Sequence, residues 1–251
     1  MSAITLVKLG GSFAFSKALA AWLDAIEAGA GKTVLVVGGG PFADAVRSAQ
    51  PRMGFDDVAA DSMALLAMEQ YATAVAALRK NFEVAASQAS IGRALECGMI
   101  PVWAPSRMVQ KARRLASSSS RRERVEIPPS WNVTSDTLAV WLAHKLRARR
   151  LLLLKQVAAK DQRSVGRAAT AERLALIGVV DKAFPRSLAA ASGLEAFLLG
   201  RGDVEGLAAA LRKNLPIGSR IELVAGTHSI HHAAEVDEDS RGRILPGDEH
   251  L

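Results

Sequence analysis

TVLVVGGGPFADAVR (residues 33–47) opens with five residues that are apolar or β-branched and show no polar alternation. Such a run is a strand buried on both faces, as in the middle of a parallel sheet. It leaves through three glycines and enters a helical pattern that starts at Pro41, a residue suited to a first helical turn. ITLVKLGGS (residues 4–12) repeats the strand-to-glycine exit. Each turn is read as a place where backbone N–H groups approach an anion, plain turn chemistry being the alternative.

Outward from these two turns the pattern alternates. Further strands are expected at IPVWA (100–104), RLLLLK (150–155), AFLLG (196–200) and IELVA (221–225). Helices are expected at SKALAAWLDAIEAG (16–29), PFADAVRSAQ (41–50), DVAADSMALLAMEQYATAVAALRK (57–80) and SDTLAVWLAHKLRA (135–148). Buried strands alternating with amphipathic helices give an α/β chain, a three-layer α/β/α sandwich with a mainly parallel central sheet. Leu138, Trp141, Leu142 and Leu146 share one helical face and read as core. A boundary is expected near residue 149, dividing residues 1–149 from 150–251 within one continuous unit.

Composition excludes several classes. The chain has 251 residues, 49% of them apolar, enough for a sizeable core. The net charge of +7 draws on KARRLASSSSRRER (111–124), read as a solvated loop or lid around SSSS. Aromatics make up 5% and form no nucleic-acid-binding signature. Cys97 stands alone, so no internal disulfide forms, and its place between helix and strand suggests a buried thiol. No apolar run reaches membrane-spanning length and no leader pattern precedes the first strand, so a cytoplasmic location is expected.

Lys8 lies inside an apolar strand, where an ammonium is costly unless it emerges at the carboxyl end. That end is where parallel sheets bind ligands, and a cation there suits charge on a transferred phosphoryl group. In PPSWNVTSDTLAVWLA (128–143), Thr134 or Ser135 can cap the helix and Asp136 occupies its first turn. Asn132 and Asp136 flank the start of an otherwise apolar helix, a pattern that capping alone leaves unexplained.

VKLGGS, VLVVGGGPFADAVR and WNVTSDTLAVWLA before RLLLLK together resemble the amino acid kinase superfamily over nearly the whole chain, down to GSRIELVAGTHSI (218–230). Within it, GGGPFADAVR, DSMALLAMEQYA (61–72) and WNVTSDTLAVWLA look most like the kinases of methanofuran biosynthesis. The resemblance implies ATP- and Mg2+-dependent conversion of aminomethylfuranylmethyl phosphate to its diphosphate. It also implies an acceptor lobe before residue 149 and an ATP lobe after it. Uridylate is the alternative acceptor; a non-catalytic nucleotide-binding or storage subunit of the same fold is the other reading. Isopentenyl phosphate is disfavoured, because the histidine used for it belongs to the acceptor lobe and all five histidines here follow residue 143.

The resemblance also assigns roles. Lys8 stabilises the transferred phosphoryl group, and Asp136 organises the lysines. Gly10, Gly11 and Ser12 contact donor phosphates. Gly38, Gly39 and Gly40 form the acceptor loop, with Asn132 facing the acceptor and Arg47 in a forked contact with its phosphate. The second lysine is Lys155, with Lys182 as alternative. QVAAKDQRS (156–164) departs from the family's acidic, glycine-containing nucleotide loop, with Ala158 and Ala159 at the expected positions. A small-molecule phosphate is the expected partner, with no nucleic acid or membrane. Homo-oligomers are expected through the helix at 57–80, which offers Met63, Leu66, Met68 and Tyr71, although that face also suits core.

Overall fold

The computed structural model describes residues 3–118, 125–156 and 170–224. Seven strands form one sheet in the order β3-β4-β2-β1-β5-β6-β7. They are β1 (Thr5–Leu9), β2 (Thr33–Val37), β3 (Phe82–Ala85), β4 (Ile100–Trp103), β5 (Arg150–Leu154), β6 (Glu195–Leu199) and β7 (Ser219–Arg220). All pairings are parallel except β6–β7. The helices are α1 (Leu19–Glu27), α2 (Gly40–Met53), α3 (Asp57–Ala77), α4 (Gln88–Glu96), α5 (Ser106–Ser118), α6 (Ser135–Leu146), α7 (Ala171–Leu176), α8 (Phe184–Ala190) and α9 (Val204–Lys213).

The central strands are buried on both faces, and alternate residues feed two separate cores. Leu6, Val34, Val36, Leu151 and Leu153 face one layer, with Trp103, Leu138, Trp141 and Leu142. Val7, Leu9, Leu35, Val37, Leu152 and Leu154 face the other, with Phe13, Trp22, Tyr71 and Leu207. Trp103 and Trp141 stack at 6.0 Å, pinning α6 over the sheet. The α/β sandwich expected from alternation is therefore present. No helix of the described residues is long and apolar enough to cross a membrane.

Order along the sheet places the site. From β1 the chain moves to β2, on to the edge strand β3 and back to β4 between them, before β5 returns to the other flank of β1. A crevice opens at the carboxyl ends where the direction reverses. Lys8 registers with Val36 and Leu153, so Gly10, Gly38 and Lys155 emerge at one level.

Several expectations are corrected. Residues 111–118 continue α5 and are no solvated loop, because Arg113 is held by the buried Asp61; residues 119–124 lie outside the described ones. Cys97 is exposed at the end of α4, where the helix turns out towards solvent before β4. Met68 and Tyr71 are buried in core, leaving Met63 and Leu66 as the exposed part of the proposed pairing face. IELVA forms no strand within its described residues. The last strand among the described residues is the preceding Ser219–Arg220, antiparallel to β6, and Glu222 makes an isolated bridge to Thr170. Residues 225–230 of the closing segment lie outside the described ones, as do Ala158, Ala159 and the four histidines after His144.

The two glycine turns touch each other, which gives their missing side chains a packing role. A Cβ on Gly11 would lie 2.5 Å from Gly40 N, and one on Gly38 would lie 2.7 Å from Gly11 N. Backbone is packed on backbone here, and Gly40 additionally holds φ at +52°. Gly11→Ala is therefore expected to destabilise the fold by about 1–3 kcal/mol through overpacking. Gly92→Ala, in α4 with nothing within 4 Å of its Cβ, is expected to stabilise by about 0.5–1 kcal/mol. Urea unfolding of both variants checks the contrast; a neutral Gly11→Ala would remove the packing argument.

Candidate active site

The carboxyl ends of β1 and β5 bring three ionised side chains together. Lys8 Nζ lies 2.6 Å from Asp136 Oδ1, and Lys155 Nζ donates to Asp136 Oδ2 at 2.7 Å. Lys8 shares the face of Leu6, which looks towards α6, and α6 presents Asp136 in its first turn. Burial pushes the Lys8 ammonium down to about 8, against the opposing pull of Asp136, with Lys155 lowering it further. Burial would raise Asp136, but the two ammonium groups, Lys155 foremost, hold its carboxyl at about 2. One carboxylate thus serves two ammonium groups, and the cluster retains one positive charge in a buried place.

A cavity of about 450 Å³ opens beside this cluster. Its lining includes Gly11, Ser12, Gly38, Gly39, Gly40, Arg47, Ser135 and Lys155. The N-terminus of α2 begins at Gly40 and that of α6 at Ser135, so two helix ends with their partial positive charge face it. Gly10 lies beneath, its amide donating to Leu154 O at 3.2 Å, and Gln156 Nε2 donates to Ser12 O, tying the two chain exits together.

Arg47 is exposed on the cavity rim. Its Nη1 meets Asp44 Oδ1 at 3.1 Å, and its guanidinium sits 4.6 Å from the Trp131 ring centre. Trp131 Nε1 donates to Gln50 Oε1 at 2.6 Å, which fixes the indole against α2. Asn132 is exposed and is not among the lining residues; its carbonyl accepts from Ala183 N at 3.0 Å. Lys182 is exposed, whereas Lys155 holds Asp136.

Three residues that sequence reasoning passed over belong to the site. Trp131 and Asp61 line the cavity; Arg113 binds both Asp61 oxygens and also donates from Nε to Ile127 O at 2.7 Å. Asp181 lies in the link between α7 and α8. It accepts from Thr134 N at 3.0 Å, Thr134 Oγ1 at 2.9 Å, Thr137 N at 2.9 Å and Thr137 Oγ1 at 2.5 Å. The capping expectation is corrected here. Thr134 occupies the cap position, but its hydroxyl donates to Asp181 instead of accepting from the helix. Asp181 could not be read from local spacing, because the helix it caps lies more than 40 residues earlier.

Chemically, the arrangement can hold a polyanion and stabilise charge on a transferred group. Among the described residues no free base stands beside the lysines, since Asp136 is ion-paired with both. Among the described residues no three or more His, Cys, Asp or Glu side chains are grouped to hold a metal.

Several solved structures share this fold. A uridylate kinase from Archaeoglobus fulgidus matches with a TM-score of 0.59 at 17% identity, over 87% of this chain and 100% of its own. A UMP kinase from Bacillus anthracis gives 0.54 at 18% identity, over 88% and 96%. An isopentenyl phosphate kinase gives 0.53 at 17% identity, over 87% and 99%. At such identities the likeness shows the fold, and no curated protein is matched. The family model described as "Amino acid kinase family" matches residues 3–174, from β1 through both glycine turns and the lysine–aspartate group into α7. Over that span of sheet and site, the chain belongs to the amino acid kinase family, a family of phosphotransferases.

Proposed function

We propose that this kinase transfers the terminal phosphoryl group of ATP to a small phosphate monoester, aminomethylfuranylmethyl phosphate, and releases ADP and a diphosphate. The observation that carries the reading is the buried positive charge left over when Asp136 is shared by Lys8 and Lys155. An acceptor phosphate oxygen attacks the terminal phosphorus, and the bond from that phosphorus to the ADP oxygen breaks. The nucleophile is already anionic, so no base is required, in keeping with an Asp136 held at about 2. Lys8 and Lys155 offset charge spread over the transferred oxygens, while positioning supplies most of the remaining rate.

In this reading the half before residue 149 binds the acceptor and the half after it binds ATP. Gly10, Gly11 and Ser12 offer backbone and hydroxyl groups to donor phosphates, and Gly38, Gly39 and Gly40 cradle the acceptor. Magnesium would be held mainly by phosphate oxygens, supplying charge neutralisation. Arg47 and Trp131 stand on the acceptor side of the cavity with Asp44 and Asp61. Guanidinium, aromatic ring and carboxylate suit an acceptor that joins a phosphate, a flat ring and an ammonium group. Asn132, beside the cavity, is assigned to its outer edge.

Uridylate is the second acceptor to consider, given the likeness in fold to uridylate kinases. Assay with Mg·ATP against both acceptors decides: turnover is expected with the aminomethylfuran phosphate, and preference for UMP would overturn the assignment. Lys8→Met is expected to lower kcat about 10²–10³-fold with the fold retained. In the parent enzyme kcat/KM should fall above about pH 8, where Lys8 loses its proton. A flat profile to pH 10 would remove Lys8 from its role.

Self-association is proposed through α3, whose outer face exposes Val58, Met63 and Leu66. Sedimentation is expected to show a dimer or larger species that Leu66→Arg breaks into monomers; a monomeric parent would end the proposal.

A further inference from the structure

Asp136 works only if its carboxylate reaches both lysines, so the placement of the first turn of α6 matters as much as the residue itself. Four donors from that turn and its cap converge on Asp181. Two are backbone amides that no helical carbonyl can satisfy, and two are the hydroxyls of Thr134 and Thr137. The same loop grips the segment a second time, since Ala183 N donates to Asn132 O at 3.0 Å. Gly178, three residues before Asp181, lines the cavity.

We propose that Asp181 is a positioning residue: reaching back from the second half of the chain, it caps α6 and so holds Asp136 between Lys8 and Lys155. A carboxylate is an excellent acceptor for helix-terminal amides, and its charge also suits the positive end of the helix. Burial and the neighbouring Asp136 charge raise the Asp181 carboxyl, while the threonine hydrogen bonds oppose them. Those hydrogen bonds let the half-buried Asp181 carboxylate sit near the buried Asp136. Asp181 touches neither lysine, and its effect passes through Asp136.

The kinetic part of the test rests on the phosphoryl-transfer reading; a second readout does not. In the full chain, Asp181→Ala is expected to lower kcat by about 10²-fold, as a displaced reacting group does. KM for ATP and acceptor should stay within about threefold, because no binding contact is lost. Asp181→Asn keeps a carbonyl acceptor and should recover most of kcat, as asparagine caps helices nearly as well as aspartate. The substrate-free readout is the Lys8 Cε resonance followed against pH by NMR. Among the described residues, the groups bearing on Lys8 are Asp136 and Lys155, with Asp181 behind Asp136. With Asp136 displaced, the Lys8 midpoint should fall well below about 8 in the alanine variant and stay near it in the asparagine variant.

A folded Asp181→Ala protein with parental kcat, or with the Lys8 midpoint unmoved, overturns the inference. So does an asparagine variant as impaired as alanine, or a change confined to acceptor KM. Should the alanine variant not fold, Thr137→Val removes one of the four bonds and is read by the same midpoint. A parent enzyme without turnover on any phosphate acceptor would sink the functional reading and leave the Lys8 titration to decide this one.

Discussion

One buried carboxylate shared by a buried and a half-buried ammonium group sets the terms for the rest of the site. Alone, the Lys8 ammonium would be driven towards its neutral form by burial, and Asp136 towards its protonated form. Together they stay ionised, yet the count is uneven, and one positive charge remains. Removing Asp136 would leave the two ammonium groups uncompensated, at a cost of about 3–5 kcal/mol, whereas losing one lysine leaves a balanced pair. The cluster's surplus charge resists desolvation until an anion arrives. Such an imbalance suits an anion, and the N-termini of α2 and α6 face the same cavity.

The glycine turns are the second constraint, and they follow from the first. For anions to reach Lys8 and Lys155, the exits of β1 and β2 must lie close together. The structure achieves this by seating Gly11 on Gly38 and Gly40 with no side chain between. Glycine is thus required for protein-to-protein contact at these positions, whatever it also does for phosphate. Sequence alone could not separate the two purposes, since both demand a missing Cβ.

Much of the architecture was legible because it rests on local chemistry. The apolar runs of β1, β2 and β5 and the apolar face of α6 state their burial outright. β3 was missed, and α4 was read only at its end before Cys97, for physical reasons. β3 is a four-residue edge strand with exposed Glu83 and Val84, too short to show a period. α4 opens with a box made by Ser87 and Ser90, where the usual sequence signal has Glu or Gln at the later position. Lys8 stood out as a cation inside a strand, and Asp136 as a carboxylate on an apolar helix. Trp131, Asp61 and Asp181 did not, because each acquires its place from a partner distant in sequence: Gln50, Arg113 and Thr137.

Those distant partners share a logic. The ends of β1 and β5, the start of α2 and the start of α6 come from separate parts of the chain, and no local propensity fixes their relative positions. Each junction is instead held by a polar contact across the crevice: Gln156 to Ser12, Trp131 to Gln50, Asp181 to Thr134 and Thr137. Apolar packing against the sheet can set the height of a helix, but it tolerates sliding, because dispersion and burial are not directional. Hydrogen bonds of 2.5–3.0 Å from the threonine hydroxyls and amides do not tolerate it. The two cores therefore carry the stability of this fold, while a small set of directional contacts carries the precision that a shared carboxylate needs.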